Sequence, residues 1–162
     1  MQATKIIAIE GGCNSLTHRS GLNPLDTGEV STETGESLLA SMGFDERFPG
    51  GESFADLVRR LEPCVLDIEA SMEPVLILAH STPCRALRAY FMRIPVEECM
   101  GAASSPAACA LTNASNCVVE LRPSISGRWK ELVHQLAPSP RSAGIPPIAT
   151  LAINVVKPTV AF

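Results

Sequence analysis

His80 stands where an apolar run stops. Val75 to Ala79 (VLILA) contains no polar residue, Ser81, Thr82 and Pro83 follow, and Arg85 comes five residues after the histidine. A continuous apolar run of this length predicts a buried strand, and Thr82-Pro83 predicts the N-cap and first residue of a helix. Free N–H groups at a helix start attract anions. An arginine in the first turn can add a bidentate grip on phosphate or carboxylate. The chemistry that fits is capture of a phosphate-bearing small molecule by His80, the Ser81 and Thr82 amides, and Arg85. Taken alone, the same residues also fit a strand end where a histidine merely surfaces.

The elements around this stretch must position it. Lys5–Ile9 (KIIAI) predicts a short buried strand. Ser37–Met42 predicts a short helix stopped by Gly43. A longer helix follows Ser53, a good N-cap with Asp56 three residues on. Its apolar stripe is Phe54, Leu57, Val58, Leu61, Val65, Ile68 and Met72, and Pro63 should kink it. Two β-rich runs flank Pro123–Gly127 as a hairpin. After Leu136 the chain turns proline-rich, so the division is a domain over 1–136 and a linker and tail over 137–162. The run IATLAINVV either adds a strand or stands apart. A helix followed by an all-apolar strand is the signature of an α/β fold with a mostly parallel sheet and helices on both faces.

Composition narrows the partners. The 162 residues are 46% apolar and 19% charged, with net charge −4. No broad basic face is implied, which argues against nucleic acid and against an anionic membrane. Cys13, Cys64, Cys84, Cys99, Cys109 and Cys117 form no Cys-x-x-Cys pair and no zinc-like spacing with a histidine. They read as small buried hydrophobes in a reducing compartment. The five-residue apolar core near Met1 is too short for a signal peptide, so a cytoplasmic location is expected. His134 reads as a surface residue, Trp129 as packing, Arg59-Arg60 as a solvated helix face, and Glu52 as support for the Gly50-Gly51 turn.

The words FPGGESFADLVRRLEPCVLDIE and VLILAHSTPCRALRAYF, in that order, resemble the fructose-2,6-bisphosphatase half of the bifunctional 6-phosphofructo-2-kinase/fructose-2,6-bisphosphatases. That family belongs to the histidine phosphatase (phosphoglycerate mutase-like) superfamily. The resemblance extends back to GLNPLDTG and forward to NCVVEL, covering about Gly21 to Leu136. It implies a three-layer α/β fold and release of the 2-phosphate of fructose 2,6-bisphosphate through a phosphohistidine. No metal or cofactor is implied, because histidines and arginines neutralise the phosphoryl oxygens. The implied partners are fructose 2,6-bisphosphate or fructose 6-phosphate, with a kinase domain or a second copy of the chain as protein partner. His80 matches the family's second active-site histidine, and Arg85 an arginine on the sugar phosphate. Ser81 stands in place of a substrate-binding glutamine, and Asn116 falls near a position that closes the site.

The pattern is also broken. The family's nucleophile lies in an Arg-His-Gly motif that this chain lacks. The nearest string has His18 and Arg19 in transposed order, and a nucleophile role for His18 is one alternative. The favoured alignment instead places GLNPLDTG well downstream of the nucleophile, so that part of the family's N-terminal half is missing. The general-acid glutamate is replaced by Pro24, with Asp26 and Glu29 as nearby carboxylates suited to capping turns. A substrate-contacting tyrosine corresponds to Gly35, Phe54 replaces another tyrosine, and only Arg47 remains of a basic segment. The expectation is a weak or inactive phosphatase domain. The other alternative is a pseudophosphatase that binds sugar phosphates or proteins.

Overall fold

The computed structural model describes residues 17–95, 97–100, 117–124, 128–135 and 149–153. The expected Lys5–Ile9 strand and Asn116 lie outside these residues. The chain enters through a 3-10 turn at Ser20–Leu22. Helix α1 (Thr32–Leu39) follows, capped by Ser31. It starts five residues earlier than its apolar pattern suggested, because Ser31 supplies a capping oxygen to Thr34 N.

Helix α2 (Phe54–Ala70) begins with a reciprocal capping box. Asp56 N donates to Ser53 Oγ (3.1 Å), and Ser53 N donates to Asp56 Oδ2 (3.0 Å). Phe54, Leu57, Leu61, Val65 and Ile68 form its buried stripe. Met72 does not belong to it, since it lies beyond the helix end and is 84% exposed. Pro63 sits inside the helix on an exposed position, where the carbonyl it leaves unbonded can meet water.

Strand β1 (Val75–Ala79) leads into helix α3 (Ser81–Met92). The helix starts earlier than Thr82-Pro83 suggested, and His80 is its N-cap. Pro83 is tolerated because its absent N–H falls within the first turn, where no intrahelical partner exists. Arg93, at φ 54°, ends the helix in the left-handed conformation. A short helix α4 (Glu97–Met100), then strands β2 (Cys117–Pro123), β3 (Trp129–Gln135) and β4 (Ala149–Ile153), complete the described elements.

The sheet order is β1-β4-β2-β3. Two of its pairings, β1 with β4 and β2 with β3, are antiparallel, and only β2 with β4 is parallel. The expected mostly parallel sheet is therefore not the described one. The expected hairpin is present, and part of the run taken as a tail is β4, at an interior position. The extra strand comes from beyond the proline-rich segment 136–148.

Helix α3 covers one face of this sheet. Ile77 and Ala79 of β1, and Val119 and Leu121 of β2, are buried on that face. Phe91 meets Trp129 edge-on at 5.2 Å between ring centroids. Arg88, 3% exposed, makes a two-pronged ion pair with Glu131, one N–H bond being 3.0 Å. Burial alone would push Arg88 toward neutrality, but the Glu131 carboxylate outweighs it and holds the guanidinium charged. The opposite face carries Leu76 and Leu132, which are 49% and 42% exposed. Helical cover on that second face is not seen among the described residues.

The ion pair and the capping box each generate a test. Removing one partner of a buried pair strands the other charge, so Glu131→Gln should cost about 3 kcal/mol in chemical denaturation. The double variant Arg88→Met/Glu131→Leu should recover most of that loss. The Ser53 backbone N–H, then its hydroxyl, hold the Asp56 carboxyl below the usual aspartate value of 3.8. A depressed folded value means the stabilisation is complete above 3.8 and fades as pH falls through the lower folded value. The gap in denaturation midpoint between the native chain and Asp56→Asn should therefore be constant near neutrality and close in acid.

Candidate functional site

The strand-to-helix junction sets the position of His80. Its backbone is extended at φ −67°, ψ 163°, and its carbonyl accepts the first helical bond, from Cys84 N (3.3 Å). Its imidazole makes no capping bond. The imidazole is half-buried, beside the helix end whose first amides belong to Ser81 and Thr82. Those residues are 7% and 1% exposed. Below them, Cys84 is fully enclosed, and burial pushes its thiol up to about 12, so it is a packing residue.

Arg85 is one turn into α3, as the spacing predicted, but it is only 2% exposed. Its guanidinium reaches Met100 O at 3.5 Å and Thr82 Oγ1 at 3.4 Å. It braces the first turn of α3 against α4. Arg88 was not singled out in the sequence, although an apolar helix with arginines at i and i+3 signals buried cations needing partners.

The chain has three histidines. Arg19, next to His18, pairs with Asp67 near the end of α2 (2.7 Å). Tyr90, near the end of α3, donates to Glu69 Oε1 two residues further along α2 (2.8 Å). Both contacts lie at the same end of the helix pair. His80 precedes the other end of α3, and the ten residue steps from it to Tyr90 rise about 15 Å. The segment holding His18 and Arg19 is thus anchored away from His80. His134 pairs with Glu120 (2.6 Å). Its row across the sheet runs through Val118 and Thr150 to Leu78, three strand spacings or about 14 Å. The structure does not gather these histidines at one point.

A concavity of about 580 Å³ lies along the loop from Ser20 to Ser31, apart from the His80 junction, and is closed by Glu52 and Arg60. Arg60 is not a solvated surface residue. Its guanidinium donates to the carbonyls of Gly21, Asn23 (2.8 Å) and Pro24 (2.7 Å), and its Nε to Glu52 Oε1 (3.0 Å). Glu52 also accepts from Asp26 N (3.1 Å). It fastens the incoming loop to the start of α2, a wider role than supporting the Gly50-Gly51 turn. Asp26 Oδ1 accepts from Gly28 N (2.9 Å), the turn-capping role expected of it. Gly28 is required twice over. Its φ is +56°, and a Cβ there would overlap the Pro49 carbonyl. Pro24 lines this concavity and offers only its carbonyl, already bonded to Arg60.

Comparison with known proteins fits these words and this junction. Residues 15–123 match the histidine phosphatase superfamily (branch 1). Fructose-2,6-bisphosphatase of Saccharomyces cerevisiae is 46% identical over 90 residues, 54% of this chain and 18% of that protein. The 6-phosphofructo-2-kinase/fructose-2,6-bisphosphatase 3 of Bos taurus is 46% identical over 87 residues, 48% of this chain and 19% of that protein. The 6-phosphofructo-2-kinase/fructose-2,6-bisphosphatase of Arabidopsis thaliana is 42% identical over 52 residues, 32% of this chain and 7% of that protein. The chain spans less than a fifth of the length of these curated relatives. Among the described residues no helix is long and apolar enough to cross a membrane. The matched span takes in the entry loop, α2, the His80 junction, α3 and β2, and with more than half its length inside it this chain belongs to the histidine phosphatase superfamily, branch 1.

Proposed function

We propose that this chain is a fructose-2,6-bisphosphatase-like domain that binds a phosphorylated sugar at the start of α3 and turns it over weakly or not at all. The observation that supports this reading is that His80 is the N-cap of α3, while Arg19, next to His18, pairs with Asp67 near the end of α2 and His134 pairs with Glu120. The family route needs one histidine to take the phosphoryl group and another beside it. Loss of a covalent nucleophile costs on the order of a million-fold in rate. Loss of a general acid costs a further hundred- to ten-thousand-fold, roughly, where the effects are independent. Pro24 cannot deliver a proton, Asp26 is engaged with Gly28, and Glu52 is engaged with Arg60.

What remains suits binding. The Ser81 and Thr82 amides face the ligand, the His80 imidazole donates to a phosphate oxygen, and the buried Arg85 supplies positive charge beneath. Ligand contact with Asn116 and Arg19 belongs to the family pattern, but Arg19 is committed to Asp67. The missing part of the family's three-layer sheet, and a kinase domain as partner, would come from a longer polypeptide or a second chain. A second reading is a scaffold without a ligand. The depth of Arg85, at 2% exposure, favours it.

Calorimetry with fructose 6-phosphate and with inorganic phosphate separates the two readings. Micromolar binding that weakens at least tenfold in His80→Ala supports the pocket, and the absence of any heat leaves the scaffold. Trapping with bisphosphate labelled in its 2-phosphate, quenched in alkali because the P–N bond of a phosphohistidine hydrolyses in acid, should leave no labelled histidine on the chain. A labelled His18 would overturn the placement of that residue outside the site.

A further inference from the structure

Strands β1 and β2 do not pair with each other. They belong to one sheet only because β4 lies between them, with Val75–Ala79 registered on Ile153–Ala149 and Val118–Leu121 on Thr150–Ile153. The slot is read from both sides, antiparallel toward β1 and parallel toward β2. A slot of this kind recognises an extended backbone through main-chain hydrogen bonds, and any chain able to present the same strand can fill it.

The connection to β4 is far longer than the distance it must cover. Strand β3 ends at Gln135, which registers with Cys117 of β2. Strand β4 starts at Ala149, one residue before the Thr150 that registers with Val118. Gln135 and Ala149 therefore lie in one row, two strand spacings apart, or about 10 Å. The thirteen residues 136–148 join them, and Pro138, Pro140, Pro146 and Pro147 are four of these. A proline-rich segment of that length reaches about 40 Å when extended. The same connection can thus place Ala149–Ile153 in its own sheet or in that of a neighbour, with every backbone bond of the slot reproduced.

We propose that two copies of this chain associate by exchanging β4, each slot between β1 and β2 receiving Ala149–Ile153 of the other copy. The occupant is a second copy because its strand matches both registers already, and identical exchanged elements make dimers at low cost. A tether holds its own strand at an effective concentration in the millimolar range, so the closed monomer dominates in dilute solution. Dimer accumulates toward about millimolar chain, or when chains refold together. This inference is independent of any ligand at His80.

The test mixes full-length Leu76→Cys with full-length Ala152→Cys, since residues 76 and 152 are register partners across β1 and β4. The mixture is refolded at high concentration and oxidised gently, and peptide masses identify the bridge. The expected result is a species of twice 17.2 kDa whose bridge joins position 76 of one chain to position 152 of the other. Light scattering of the native chain should show its dimer fraction rising with concentration. A single monomer mass at every concentration, or a dimer whose bridges exclude the 76–152 pair, overturns the proposal. Deleting residues 138–147 leaves three connecting residues, too few to span the gap and turn at both ends. That variant should be wholly dimeric, and a folded monomer would contradict the exchange. If it does not fold, the bridge in the full-length mixture decides.

Discussion

Backbone pairing by β4 on both of its sides makes one sheet out of two pieces of chain. Without it, β1 would carry His80 on a strand joined to nothing on that side, and the β2–β3 hairpin would be a separate ribbon. Helix α3 depends on the joined sheet. It lies over β1, β4 and β3, and it is fastened at its far end by the buried pair between Arg88 and Glu131. That fastening fixes the helix axis, and the axis fixes where the first amides and His80 point. A buried ion pair adds little net stability over apolar packing, but it tolerates few alternative arrangements. Helix α2 and the entry loop form a second set of contacts around Arg60, and they meet α3 through packing and the Tyr90–Glu69 bond.

Most of what positions His80 was legible in the sequence. Ser53 and Asp56 announced a capped helix, the VLILA run announced a strand, and the residues around Pro123–Gly127 announced a hairpin. These are local signals, and local chemistry decides them. The start of α3 was misplaced because Pro83 was read as a first helical residue, when a proline is also tolerated deeper in the first turn. Arg60 was misread as part of a solvated face and Arg88 was not singled out, for a common reason. Arg60 and Arg88 find carbonyls and a carboxylate that are remote in sequence, at Gly21–Pro24 and Glu131, and no periodicity reports such partners. The position of β4 was illegible for the same cause. Strand order is a long-range choice, and the run at Ala149–Ile153 carries no mark of which neighbours it takes.

The candidate site was half legible. His80 and Arg85 fall where the spacing put them, but exposure divides their roles. His80 remains half-buried and can meet a ligand, while Arg85 is enclosed and works through the turn it braces. The distances between histidines follow from helix rise and strand spacing, quantities that a sequence cannot order without the topology. Once the topology is given, they separate phosphate binding from phosphoryl transfer. Binding needs one helix end with charge nearby. Transfer needs a second nucleophilic side chain at the same point.

The most direct measurement is the phosphorus resonance spectrum of fructose 2,6-bisphosphate mixed with the chain and followed over hours. The account predicts a 2-phosphate signal that shifts or broadens with the native chain but not with the His80→Ala variant, and an inorganic phosphate signal that does not grow. Inorganic phosphate accumulating at an ordinary enzymatic turnover of about 1 s⁻¹ or faster, and lost on replacing His18, would contradict it.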